Sequence, residues 1–235
     1  MYCITNQQIY MKSIYKDRFY LTGVLAIFIS FCVNAQENSA KYDLSSMVEK
    51  NLLEVFNRTV TTFSEDGKNG IRFSKNENDG IAWLKHVIFS SGIIELDIRG
   101  KEEFQQSFVG VAFHGMDNNT FDAVYFRPFN FQTDDPVRKI HAVQYVSMPV
   151  YSWEVLREKF NGKFEKAVVP APKGTEWFHV KIAVKSPMVT VYVNGNREAS
   201  LSIETLNTRA TGKIGLWVGN NSDGDFANMQ ITPLE

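Results

Sequence analysis

Cysteine is nearly absent: the 235 residues hold two, Cys3 and Cys32, and both precede residue 36. A chain cut after Ala35 therefore has no disulfide, no thiolate nucleophile and no cysteine metal ligand, and its core alone must hold the fold. An excess of charge of either sign is also missing, with 25 lysines and arginines against 26 aspartates and glutamates. No basic block marks a nucleic-acid surface, so nucleic acid is not an expected partner. The longest uncharged apolar run, "FYLTGVLAIFISFCV" at 19–33, is too short for a comfortable bilayer span, which takes about 20 residues. Internal repeats and a G-x-S-x-G nucleophile motif are lacking too.

That same run, preceded by Lys12, Lys16 and Arg18 and followed by Val33-Asn34-Ala35, reads as a secretory signal peptide spanning 1–35. Met11, directly before Lys12, is a second candidate start. Phe31 ahead of Cys32 is not the small residue that a lipoprotein signal requires. The expected location is secreted or periplasmic, with no stable membrane span after cleavage. Residues 36–41, "QENSAK", read as a polar tail, and 42–235 as one domain. A chain of that size buries roughly 70% of its unfolded surface.

What the domain has in plenty is short alternating segments divided by turn signals. Strands are expected at 70–74, 80–84, 92–98, 107–114, 122–129, 141–148, 176–184, 188–193, 213–218 and 226–231. Asp79-Gly80, Gly115 to Asn119, Asn194-Gly195 and Asp223-Gly224 supply the turns. Only "SWEVLREKF" at 152–160 reads as a helix, inside a long connection from Pro149 to Gly174. Long connections in compact domains tend to carry function. The pattern predicts an all-β fold, a jelly-roll sandwich of two antiparallel sheets.

The C-terminal third, "EWFHVKIAVKSPMVTVYVNGNREASLSIETL" followed by "GKIGLWVGNNSDGDFANMQI", resembles the closing strands of the concanavalin A-like lectin/glucanase superfamily. The slots are Trp177 with Ile182, the hairpin Val189 to Gly195, Gly212 to Leu216, and Phe226 with Asn228. The setting "AVYFRPFNF" at 123–131 is similar to secreted bacterial domains of the laminin G-like and 3-keto-disaccharide hydrolase-like type. The resemblance implies a carbohydrate or polysaccharide as partner. It also leaves open a glycan-cleaving hydrolase or a laminin G-like protein-interaction module.

For catalysis the leading candidates lie in "GIIELDIRG". Resemblance to retaining glycoside hydrolases of the superfamily places Glu95 in the nucleophile slot and Asp97 in the helper slot. The acid/base slot falls on Arg99 or Gly100, which cannot donate that proton, and a plain polar strand face is the competing reading. His114 is a further acid/base candidate. "NNSDGDFAN" gives Asn221, Asp223 and Asp225 the 1-3-5 spacing of a Ca2+ loop, without its glycine at position 6 or its glutamate at 12. No other cofactor is implied.

A binding face is expected around "AVYFRPFNF". Val111 and Phe126 pack inward, so Tyr125, Arg127 and His114 face outward, joined by Gln144 or by His141 with Tyr145. Asn130 and Trp153 would wall the groove, and Gly110 and Ala112 would leave room above it. Aromatic rings beside a planar cationic donor suit a polyhydroxylated ring. The competing reading pairs Arg127 with Asp122, Asp97 or Glu95 across the sheet.

Overall fold

The computed structural model describes residues 39–234; the expected signal peptide lies outside the described residues. In chain order the elements are β1 (Ala40–Tyr42), α1 (Leu44–Glu49), β2 (Leu53–Phe56), β3 (Val60–Glu65), β4 (Lys68–Phe73), β5 (Gly80–Phe89), β6 (Gly92–Arg99), β7 (Val109–Gly115) and β8 (Asp122–Phe126). They continue with α2 (Pro136–Lys139), β9 (Val143–Ser147), α3 (Trp153–Lys159), β10 (Glu165–Lys166), β11 (Phe178–Lys185), β12 (Met188–Val193), β13 (Leu201–Glu204), β14 (Gly212–Val218) and β15 (Gly224–Pro233).

The strands form two antiparallel sheets. The first runs β13-β12-β11-β6-β15-β4-β3, with β1 also paired to β15, and the second runs β10-β9-β8-β7-β14-β5-β2. Alternation decides which residues meet between them. Ile94, Leu96 and Ile98 of β6 and Val189, Val191 and Val193 of β12 are fully buried, as are Val109, Val111, Val124, Phe126 and Leu216 of the second sheet. Each such side chain contributes about 1.5–3 kcal/mol on burial. Asn194 and Gly195 both take positive φ, 51° and 69°, the geometry of the tight hairpin that their sequence predicts.

Several elements depart from the sequence expectation, among them α2, β10 and β13, which it did not include. Residues 40–42, expected in a polar tail or at its end, form β1 against Met229–Ile231. α1 was hidden by its shortness, although Asp43 caps it by accepting from the Ser46 amide at 3.1 Å. β2 and β3 are mostly exposed edge strands, so their apolar alternation is faint.

Candidate functional site

The outward face of the second sheet carries the site. β8 pairs through Tyr125 with Gln144 of β9 and with Gly110 of β7, and Gly110 pairs onward with Trp217 of β14. Gly110 has no side chain to hold its neighbours apart, so the Tyr125 and Trp217 rings close over it to 5.0 Å between centroids. The space expected above Gly110 is thus filled by two rings. A Cβ there would fall 2.6 Å from the Tyr125 Cα, so glycine is required. The row continues from Tyr125 to Phe108 at 6.2 Å, to Phe129 at 5.5 Å and to Phe104 at 5.7 Å. Five rings in contact therefore line one cavity of about 630 Å³, inside the range of roughly 300–1,000 Å³ typical of small-ligand pockets.

Pro128 ends β8 as its missing N–H predicts, and the chain turns through a 3₁₀ segment, Pro128–Asn130. That turn leaves Arg127 only 5% exposed at the cavity wall. Its Nη2 donates to the Tyr125 hydroxyl at 2.6 Å and to Gln144 Oε1, and its Nη1 donates to the His141 carbonyl at 2.9 Å. The nearest carboxylate is Glu165, 3.7 Å away on β10. Neither half of the sequence alternative stood alone: Arg127 lines the cavity and also faces a carboxylate, which is Glu165 instead of Asp122, Asp97 or Glu95.

Glu165 is almost wholly buried and gathers the cations behind the wall. Its Oε2 accepts from Arg157 at 3.0 Å and lies 2.7 Å from His141 Nδ1, off normal hydrogen-bond geometry. Burial holds the His141 imidazole below its ordinary pKa, with Glu165 opposing and Arg157 assisting. Burial likewise pushes the Tyr125 hydroxyl up to about 12, so it stays protonated.

Tyr125, Arg127, Asn130, His141 and Trp153 all line the cavity, and Gln144 supports it from below. His114 and Tyr145 do not line it. A register shift in the β7–β14 pairing lies beside His114, which adopts φ 50°. Its Nε2 lies 2.7 Å from the Ser90 carbonyl and its Nδ1 3.4 Å from Asp122, both buried. Tyr145 is one register position from Gln144 and so points between the sheets, donating to Asp122 at 2.8 Å.

Glu95 and Asp97 stand on the outward face of the other sheet. Burial would raise the Asp97 pKa, but hydrogen bonds from His179, Lys68 and Asn228 hold it well below the usual carboxylate range. Arg99, in the would-be acid slot, is tied to Asp225, Asp66 and Glu65. The Ca2+ spacing does not fit a cation either. Asp225 is bound by Arg72 and Arg99 and Asp223 by Lys101, so the protein's own cations occupy both carboxylates, while Asn221 shapes a turn at φ 54°. Among the described residues no cluster of three or more His, Cys, Asp or Glu side chains is set for a metal.

Sequence reasoning missed Asp79, Phe104, Arg138, Glu154, Glu165 and Trp217. Trp217 had a usable signal: in "KIGLWV" Ile214, Leu216 and Val218 point inward, which sends Trp217 out. Asp79 was read only as half of a turn dipeptide. Burial pushes its carboxyl up to about 6, against the Trp217 indole and Arg58 and with the Glu154 charge. The Trp217 N–H makes no hydrogen bond of normal geometry.

Two antiparallel sheets packed as a jelly roll, with a ring-lined cavity on one outer face, define a concanavalin A/galectin-like domain. Its fold is similar to the carbohydrate-binding module CBM66 from Bacillus subtilis, at TM-score 0.56 and 14% identity over 77% of this chain and 96% of that one. A Bacillus subtilis protein of unknown function with a galectin-like fold gives 0.54 and 13% over 83% and 94%. The VIP36 exoplasmic/lumenal domain, Ca2+/Man3GlcNAc-bound form, gives 0.53 and 10% over 85% and 90%. Residues 46–232 match the 3-keto-alpha-glucoside-1,2-lyase-like domain, and the chain belongs to that family.

Proposed function

We propose that this protein is an exported carbohydrate-binding domain that holds a glycan in the cavity on the second sheet, acting in the periplasm or outside the cell. The observation that carries the reading is the row Phe104–Phe129–Phe108–Tyr125–Trp217 along one cavity wall, beside Asn130, His141 and three guanidinium groups. Sugar rings present apolar C–H faces and a rim of hydroxyls, which match aromatic faces and dense donors. Two fold relatives, a carbohydrate-binding module and a lumenal domain in its Ca2+/Man3GlcNAc-bound form, support it. Signal-like residues 1–35 support export.

A glycan array probed with the purified protein tests the reading. Capture of at least one glycan is expected, weakened about tenfold by Trp153→Ala or by Phe104→Ala, a loss of one stacking contact. Both side chains are largely exposed, at 43% and 54%, so neither change disturbs the core. Undiminished capture by both variants would place the glycan elsewhere.

A further inference from the structure

We propose that the glycan held in this cavity is acidic, and that Arg138 takes its anionic group, a uronate carboxylate or a sulfate ester, at the Phe104 end of the ring row. The inference rests on the glycan-binding reading and narrows it to a substrate class. Arg138 lines the cavity, half-buried on α2, with its guanidinium stacked over the Phe104 ring at 4.5 Å. Both protein groups that accept from this guanidinium are neutral: Nε donates to Asn130 Oδ1 at 3.1 Å and Nη2 to the Phe129 carbonyl at 2.8 Å. The Asp135 carboxylate, three residues earlier, caps α2 instead, accepting from the Val137 and Arg138 amides at 2.8 and 3.2 Å. Among the described residues Arg138 has no ion-pair partner.

The donors that remain on Arg138 decide what it can hold. Nε and one N–H of Nη2 are engaged, which leaves both hydrogens of Nη1 and the second of Nη2. That edge offers two parallel donors, spaced for the paired oxygens of a carboxylate or a sulfate. A neutral sugar hydroxyl would take one donor and leave the charge unmatched. In a partly shielded cavity an unmatched cation is the less stable arrangement.

Charge is sorted along the row. Arg127, over the Tyr125 and Phe108 rings, and Arg157, over Trp153, already face Glu165 at 3.7 and 3.0 Å. The Asp79 carboxyl lies against the Trp217 indole, at the opposite end of the row from Phe104, and Glu154 bears on it. An acidic glycan is thereby given a direction, with its anion toward Phe104 and away from Asp79.

The test is an array that prints each acidic glycan beside its neutral counterpart: a uronate chain beside its methyl ester, and a sulfated chain beside the desulfated one. The wild-type protein should capture an acidic member about tenfold or more better than its counterpart, and capture should fall as sodium chloride rises from about 50 to about 500 mM. Preference for the uronate would name the carboxylate as the anion, and preference for the sulfated chain would name the sulfate. Arg138→Gln should bring capture of the acidic form down to that of the neutral one. Arg138→Lys should keep part of the preference, since the charge stays and the paired donors are lost. Lys139→Gln makes the same charge change at an exposed side chain outside the cavity and should leave capture unchanged. The wild-type comparison decides even if Arg138→Gln does not fold. Equal capture of acidic and neutral forms, an undiminished preference in Arg138→Gln, or an equal loss in Lys139→Gln would overturn the inference and leave the binding reading standing. Absence of any captured glycan would overturn both.

Discussion

The two outward sheet faces of this molecule hold similar residue types and use them differently. On the face of β6, Asp97 meets Lys68, His179 and Asn228, and Asp225 meets Arg72 and Arg99, so each carboxylate is matched by a fixed donor. On the face of β8, a row of five rings with Phe121 and Trp153, three guanidinium groups and two carboxyls line a cavity, and burial raises the Asp79 carboxyl. Open sheet surface lets charges find partners and water. A cavity roofed by α3 and the 128–141 segment shields them, which raises one carboxyl pKa and leaves ring faces free. Charge alone therefore does not mark the site; charge without a partner, beside rings, does.

That contrast can be broken most severely under the cavity. Arg127→Met removes three hydrogen bonds and leaves Glu165 facing fewer cations, so urea unfolding should show a loss of about 3–5 kcal/mol. A loss under 1 kcal/mol would mean the network is not what holds β8, β9 and β10 in place.

The opposite face should give a smaller loss with its own pH signature. Asp97→Asn leaves Lys68 and His179 short of a carboxylate and is expected to cost about 1–3 kcal/mol at pH 6. Because the folded-state pKa of Asp97 is depressed, its contribution is present above the unfolded value of about 4 and is lost as pH falls through the folded one. His179 is raised, first by its hydrogen bond to Asp97, so its share is complete below about 6.5 and fades as pH rises through the folded value. Unfolding curves of Asp97→Asn should lack the first trend and show a weaker second one, since Glu95 still faces His179.

Asp79→Asn should act with the reverse sign. A raised folded pKa means that stability is present below about pH 4 and lost as pH rises through about 6. At pH 8 the asparagine variant should therefore be more stable by about 1–2 kcal/mol, discounted for the partial exposure of the side chain. Thermal melts at pH 8, pH 5 and pH 3 check this, with the gain about halved at pH 5 and gone at pH 3.

Most strands and the β11–β12 hairpin region were legible because β6, β7, β8, β11, β12, β14 and β15 alternate cleanly and several of them end on Asn, Asp or Gly turns. β1, β2, β3, β10 and β13 were not, since edge strands two to six residues long carry little apolar pattern. At the site, period-2 reasoning placed Tyr125 and Arg127 on one face, with Gln144 as one of two alternatives beside them. It failed for His114, where the pairing register of β7 and β14 shifts and alternation gives no warning. Tyr145 entered with one of the two phases left open for β9, and the structure takes the other, which turns Gln144 outward. Asp79, Trp217 and Phe104 come together only through β5–β14 pairing and a loop, contacts that no local pattern contains.

Binding on the β8 face is the central claim, and locating the bound sugar tests it most directly. A crystal structure of the wild-type protein with an array-captured glycan should show a sugar ring against the Tyr125–Trp217 pair, with hydroxyls near Asn130 and His141. A glycan seated instead on the β6 face, beside Asp97 and His179, would contradict it.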